Sequence, residues 1–203
     1  MGKNPPRTRM RGPARRAVIT AAALELFAGK GYHGTSLGEI AARAGVARTV
    51  LYDHFPSKRG LLLTVVQEQN TALMSHVGAR ITAVGAAEDR MRSTIDAYFS
   101  FTETRSAARK LLFDHANEDD PEIRIARQGI RESRAQAVTS LLADDMRAMG
   151  VDPREPIAEA MVELIITGLD GVAQWWERNP DMPRSLLVEG VARLLWNGLG
   201  RPR

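Results

Sequence analysis

Apolar residues recur three and four positions apart along almost the whole chain, and no window alternates with period two for long enough to mark a strand. The pattern predicts an all-α protein of about nine helices. The first opens near Pro13, a residue favoured in a first turn, carries Ile19, Ala22, Ala23, Leu26 and Phe27 on one stripe, and stops at residues 29–31, where two glycines make a positive φ cheap. Ser36 followed three residues later by Glu39 is a capping box, so a second helix starts there and runs through Ile40, Ala41 and Ala44. Gly45 permits a sharp turn and Val46 supplies a buried anchor. A short third helix over 47–55 is then stopped by Pro56. Ser57 can cap a long fourth helix bearing Leu61, Leu62, Val65, Val66 and Leu73, loosened at Gly78 and Gly85. Further helices are predicted over about 88–105, 107–117, 121–149, 154–179 and 183–199, punctuated by Pro121, Gly150 with Pro153, and Asn179-Pro180 before Pro183.

Three segments follow from this pattern: a basic arm over residues 1–12, a helix-turn-helix over 13–56, and a helical body over 57–203. Charge sharpens the division. Residues 1–60 hold eleven Lys and Arg against three acids, Glu25, Glu39 and Asp53, whereas the whole chain is only +4. A cationic head on a mildly anionic body suits a polyanion, because each neutralised phosphate releases a counterion.

Composition excludes several chemistries. With 203 residues, 44% of them hydrophobic, the chain can bury a large core. It has no cysteine, which removes disulfides, zinc-thiolate sites and thiol nucleophiles and favours a cytoplasmic protein. The four histidines (His33, His54, His76, His115) form no metal-spaced pair, no nucleophile elbow or phosphate loop is present, and neither a cofactor nor a metal is expected. The apolar run 164–176 is interrupted by Asp170, so no membrane span is predicted. The basic start followed by residues 17–24 superficially resembles a secretory signal, but Glu25 cuts it short and helical spacing marks an amphipathic helix. Pro6 stands where a myristoylation site wants Ser or Thr. Residues 29–34 match the glycine spacing of dinucleotide-binding loops, yet a helix ends into them where that fingerprint needs a strand before and a helix within.

Residues 31–62 carry Gly31-Tyr32, Thr35-Ser36, Glu39-Ile40-Ala41, Ala44-Gly45-Val46, Leu51-Tyr52 and His54-Phe55-Pro56-Ser57-Lys58. In this respect the chain resembles the TetR family, the tetracycline-repressor-like regulators, over residues 13 to about 66. The residues alone place Arg48, Thr49 and Tyr52 on one face of the third helix, where Arg is suited to guanine edges. The resemblance implies base contacts from Arg48 and Thr49, and phosphate contacts from Tyr52, His54, Lys58 and the helix start at Ser36. Arg7, Arg9 and Arg11 can reach a flanking minor groove. Two departures from the family pattern stand out: Ala47 where many members have a phosphate-bonding Ser, and Leu37 where some have Thr, so fewer hydroxyl contacts are expected.

For the body, the resemblance implies a homodimer through a four-helix bundle. The stripes that would form it carry Met161, Leu164, Ile165 and Val172 on one helix and Leu187, Val191, Leu194 and Leu195 on the next. It also implies a palindromic operator in double-stranded DNA and a small-molecule inducer that releases a repressor. A partly apolar inducer would meet Tyr98, Phe101, Phe113, His115 and Trp175. Two other functions compete: a nonspecific DNA-binding or adaptor protein that uses the basic head without sequence preference, and an enzyme, for which no constellation of residues speaks.

Overall fold

The computed structural model describes residues 12–113 and 120–199, and the described residues form ten helices and no strand. Helix α1 (Gly12–Lys30) ends where Gly31 takes φ +73°, and Thr35 Oγ1 closes that end by donating to the carbonyls of Gly31 at 2.8 Å and Leu26 at 3.2 Å. The glycine-rich string 29–34 is therefore the tail of a helix and the turn after it. Helix α2 (Leu37–Ala44) terminates at Gly45, whose φ of 67° and N–H donated to the carbonyls of Ala41 and Ala42 make the tight turn into α3 (Arg48–His54).

Ile19, Ala23, Phe27, Ile40, Leu51 and Phe55 close the core of these three helices. That core does not stop at Pro56. Leu61, Leu62, Val65 and Val66 of α4 (Lys58–Ile81) join it, as do Leu111 of α6 (Ser106–Phe113) and Ile123 of α7 (Pro121–Leu141). The head thus shares one continuous hydrophobic cluster with the first half of α4, the end of α6 and the start of α7.

A second cluster joins the far half of α4 to α5 (Ala87–Thr104), α9 (Pro156–Glu177) and α10 (Arg184–Leu199) around Leu73, Val77, Ile95 and Phe99. A third sets Ala135 of α7 and Met146 of α8 (Ala143–Ala148) against Ala158 and Val162 of α9. The segment expected as one helix over 121–149 is two, which raises the count from about nine to ten. The break falls at Leu142 (φ −92°, ψ 4°), where the chain has neither Gly nor Pro. Met146, 2% exposed, belongs to the third cluster, and Leu142 packs against it. Among the described residues, no helix is long and apolar enough to cross a membrane.

Candidate nucleic-acid interface and body cavity

The start of α2 is built by reciprocal hydrogen bonds. Ser36 Oγ accepts from the Glu39 N–H at 3.2 Å, and Glu39 Oε2 accepts from the Ser36 N–H at 2.9 Å. Lys30 adds an ion pair to Glu39 at 2.6 Å. The Lys30 hydrogen bond, followed by those from Ser36, lowers the Glu39 pKa from an ordinary 4.5 to about 2. A carboxylate depressed on folding contributes stability that is complete above its unfolded pKa and lost as pH falls through its folded value. Acid titration should therefore erase this cap between about pH 4.5 and 2, and Ser36→Ala should lower stability by about 1 kcal/mol in urea denaturation at neutral pH.

Helix α3 presents its outer face beside this cap. Arg48 and Thr49 are exposed, Tyr52 is 52% exposed, and Leu51 turns the opposite way into the core. Together with residues 33–39 and Lys58, Arg48 and Tyr52 line an open depression of about 530 Å³. The Arg48 guanidinium lies across the first turn of α2, so close to Gly38 that a Cβ there would sit 2.3 Å from Nη2. Gly38 thereby gives Arg48 room to fold back over α2 or extend outward. Ala47, the N-cap of α3, makes no side-chain capping bond. His54 is half-buried beside Phe55.

Lys58 departs from the simple picture of a free cation. Its Nζ donates to the carbonyls of Tyr32 at 2.8 Å and Thr35 at 2.9 Å and sits 4.3 Å from the centre of the Tyr32 ring. An ammonium has three N–H donors, so these two carbonyls leave one over. The next residue, Arg59, reaches the other way, to Asp120 at 3.7 Å and Glu122 at 2.8 Å at the start of α7. The first turn of α4 is thus tied to the α1–α2 loop and to α7 by adjacent side chains, a role that sequence reasoning missed. Arg7, Arg9, Arg11 and His115 lie outside the described residues.

The body encloses a cavity of about 280 Å³ between α4, α5, α7, α8, α9 and α10. Its walls are mainly aliphatic and thioether side chains. Its buried charges are paired with one another: Asp170 accepts from Tyr98 Oη at 2.7 Å and Arg134 Nη2 at 3.3 Å, and Arg90 pairs with Asp145. Burial is the main cause pushing the Asp170 carboxyl above its usual range, with Arg134 opposing it, and burial also holds the Tyr98 hydroxyl well above its ordinary value.

Of the aromatic candidates, Tyr98 lines this cavity. Phe101 instead packs in the core beside His76, with ring centroids 5.9 Å apart. Phe113 is buried between Tyr98 and Arg134, and Trp175 is 40% exposed on the outer surface. Helical spacing groups apolar residues on a face without telling which layer the face meets, and these rings fell to the core and the surface.

The stripes on α9 and α10 also divide. Leu164 and Leu194 are 65% and 74% exposed, Val172 and Val191 are half-buried, and Leu187 belongs to the core. Met161, Ile165 and Leu195 face the cavity.

A family model described as "Bacterial regulatory proteins, tetR family" matches residues 19–65, the segment that builds the head. The HTH-type transcriptional activator FasR of Mycolicibacterium smegmatis is 31% identical over 185 residues, 91% of this chain and 83% of that protein. The HTH-type transcriptional regulator BetI of Escherichia coli K12 is 30% identical over 159 residues, 76% of this chain and 78% of that protein. Among solved structures, the fatty acid degradation regulator FadR from Bacillus halodurans superposes with a TM-score of 0.80 at 21% identity, covering 96% of this chain and all of that one. FadR from Bacillus subtilis in complex with stearoyl-CoA gives 0.77 at 20% identity over 90% of this chain and 98% of that one. The structures establish the fold. The sequence relationship to FasR runs through head and body alike, and this chain belongs to the TetR family of helix-turn-helix transcriptional regulators.

Proposed function

We propose that the chain works as a homodimer on a palindromic operator, and that an amphiphile with a long apolar chain, of the fatty acyl-CoA class, binds the body cavity and changes operator affinity. One observation carries the effector reading: an apolar cavity walled by α4 and α7, the two helices whose first turns are tied together beside the head by Arg59. A ligand that separates Leu73 and Val77 of α4 from Val138 of α7 acts on the elements that set the head's position. The shift it produces is limited by its preference for one arrangement over the other. The B. subtilis neighbour, solved with stearoyl-CoA, supplies the chemical class. Where the operator overlaps a promoter, such release relieves repression. A relative named as an activator, FasR, fits the same mechanism with the operator placed elsewhere.

On the DNA, Arg48 and Thr49 read base edges while Tyr52, His54, the remaining Lys58 donor and the α2 start at Ser36 hold the phosphates. Arg7, Arg9 and Arg11 follow the flanking minor groove. Selection from random duplexes tests this. A palindrome should emerge and should keep its advantage over random DNA at physiological salt, whereas a nonspecific coating protein yields no consensus and loses affinity uniformly.

Arg48→Ala should relax preference at one position per half-site by about 1–3 kcal/mol. Lys58→Met should weaken all sequences alike and also lower the melting temperature, because two carbonyls lose their donor. Identical behaviour of the two variants would refute this division of labour. Stearoyl-CoA titrated against the complex of protein and selected operator should release the DNA. Indifference to it would remove the effector reading.

A further inference from the structure

Five of the chain's eight methionines line the body cavity: Met74 of α4, Met91 of α5, Met146 and Met149 at α8, and Met161 of α9. They come from four different helices, so they surround the space instead of marking one stripe. Aromatic side chains, which give a pocket a fixed outline, are represented in its lining by Tyr98 and Trp196 alone. Tyr98 is immobilised by its bond to Asp170, and the cavity's arginines, Arg90 and Arg134, are each paired with an aspartate.

The rigid polar groups therefore answer to one another, and the surfaces left to meet a ligand are branched aliphatic side chains with the five methionines set among them. Methionine is unbranched, has three rotatable side-chain bonds and a polarisable sulfur, and re-packs around partners of different outline. Met-rich surfaces are a recurring solution for binding a set of related molecules instead of one. The break at Leu142 adds to this, because it sets Met146 on, and Met149 directly after, a separate six-residue helix.

We infer that these five methionines make the cavity tolerant of chain length, so that the protein responds to a range of acyl chains instead of measuring one. This rests on the effector class proposed above. A length-measuring pocket needs a rigid floor against which one methylene too many collides, since overpacking a well-formed interior is strongly unfavourable. Methionines spread around the cavity move aside.

The test is calorimetric titration of the full-length protein with lauroyl-, myristoyl-, palmitoyl-, stearoyl- and arachidoyl-CoA, alongside the triple variant Met74→Leu/Met91→Leu/Met161→Leu. Leucine for methionine nearly conserves volume, so the fold is retained. For the native protein, the three longest chains should bind within about tenfold of one another. In the variant, one length should keep its affinity while its neighbours fall by about tenfold or more. A native profile with one length preferred about a hundredfold over both neighbours, or a variant profile superimposable on the native one, overturns the inference. If the variant fails to fold, the native profile still decides. Absence of binding by every chain length would instead refute the acyl-CoA reading, a failure distinguishable from a sharp length optimum.

Discussion

Asp170→Ala should cost about 3–5 kcal/mol of folding stability, the range for breaking a buried ion pair by removing one partner. Arg134 is 7% exposed, and its hydrogen bond to a side chain is the one to Asp170; its Nε is buried without a partner. Removing the carboxylate leaves a guanidinium inside an apolar cavity, with the Phe113 ring 5.6 Å away. Tyr98 loses its acceptor at the same stroke.

The pair is an inefficient source of net stability, because burying two charges consumes most of what their attraction returns. Asp170→Leu/Arg134→Met should accordingly recover most of the loss, since no charge is left stranded. Tyr98→Phe, which deletes one hydrogen bond to a charged acceptor, should cost about 1.5–3 kcal/mol. Urea denaturation of the four proteins measures all of these. An Asp170→Ala loss below about 1 kcal/mol would show that water reaches the guanidinium and that the network does not support the cavity wall.

The head was legible in the sequence because its signals are local. Ser36 and Glu39 are three residues apart, Gly45 needs a left-handed φ for the turn, and Pro56 ends a helix without help from anything distant. The body's interior was not, because a cavity is a relation between helices far apart in the chain. The pattern identified Met161, Ile165 and Leu195 as apolar stripe residues without revealing that they look inward, while Leu164 and Leu194 on the same two helices look outward. The break at Leu142 carries no Gly or Pro that would mark it in the sequence. Lys58 is instructive in a different way. The family resemblance implied a cation near DNA, but the carbonyls of Tyr32 and Thr35 that occupy two of its protons have no signature in a one-dimensional string.

Leu164→Asp/Leu194→Asp should turn the proposed dimer into a monomer and lower operator affinity by more than about a hundredfold. On α9, Ile157, Leu164, Gly168, Gly171 and Trp175 follow one another at steps of seven, four, three and four, the spacing of a helix-pairing seam. Ile157 and Leu164 are exposed, and a Cβ at Gly168 or Gly171 would meet nothing within 4 Å. On α10, Leu186, Gly190 and Leu194 repeat the alternation of large and small. Large side chains beside bare backbone form knobs and recesses that a two-fold copy of the same surface can fill. The opposite face of α9 is already used, by Ala158, Val162 and Ala173 in the subunit's own core.

Aspartate at two solvent-facing positions should leave the monomer's stability within about 0.5 kcal/mol, so any loss of DNA binding reports assembly and not unfolding. In a dimer, docking one head places the second near its half-site at high effective concentration, and a monomer forfeits that advantage while keeping the contacts of a single head. Sedimentation velocity and circular dichroism on the same samples separate the two effects. A double variant that still sediments as a dimer would move the interface elsewhere on the body, and a native protein that is monomeric at every concentration would remove the second reading helix on which palindromic recognition depends.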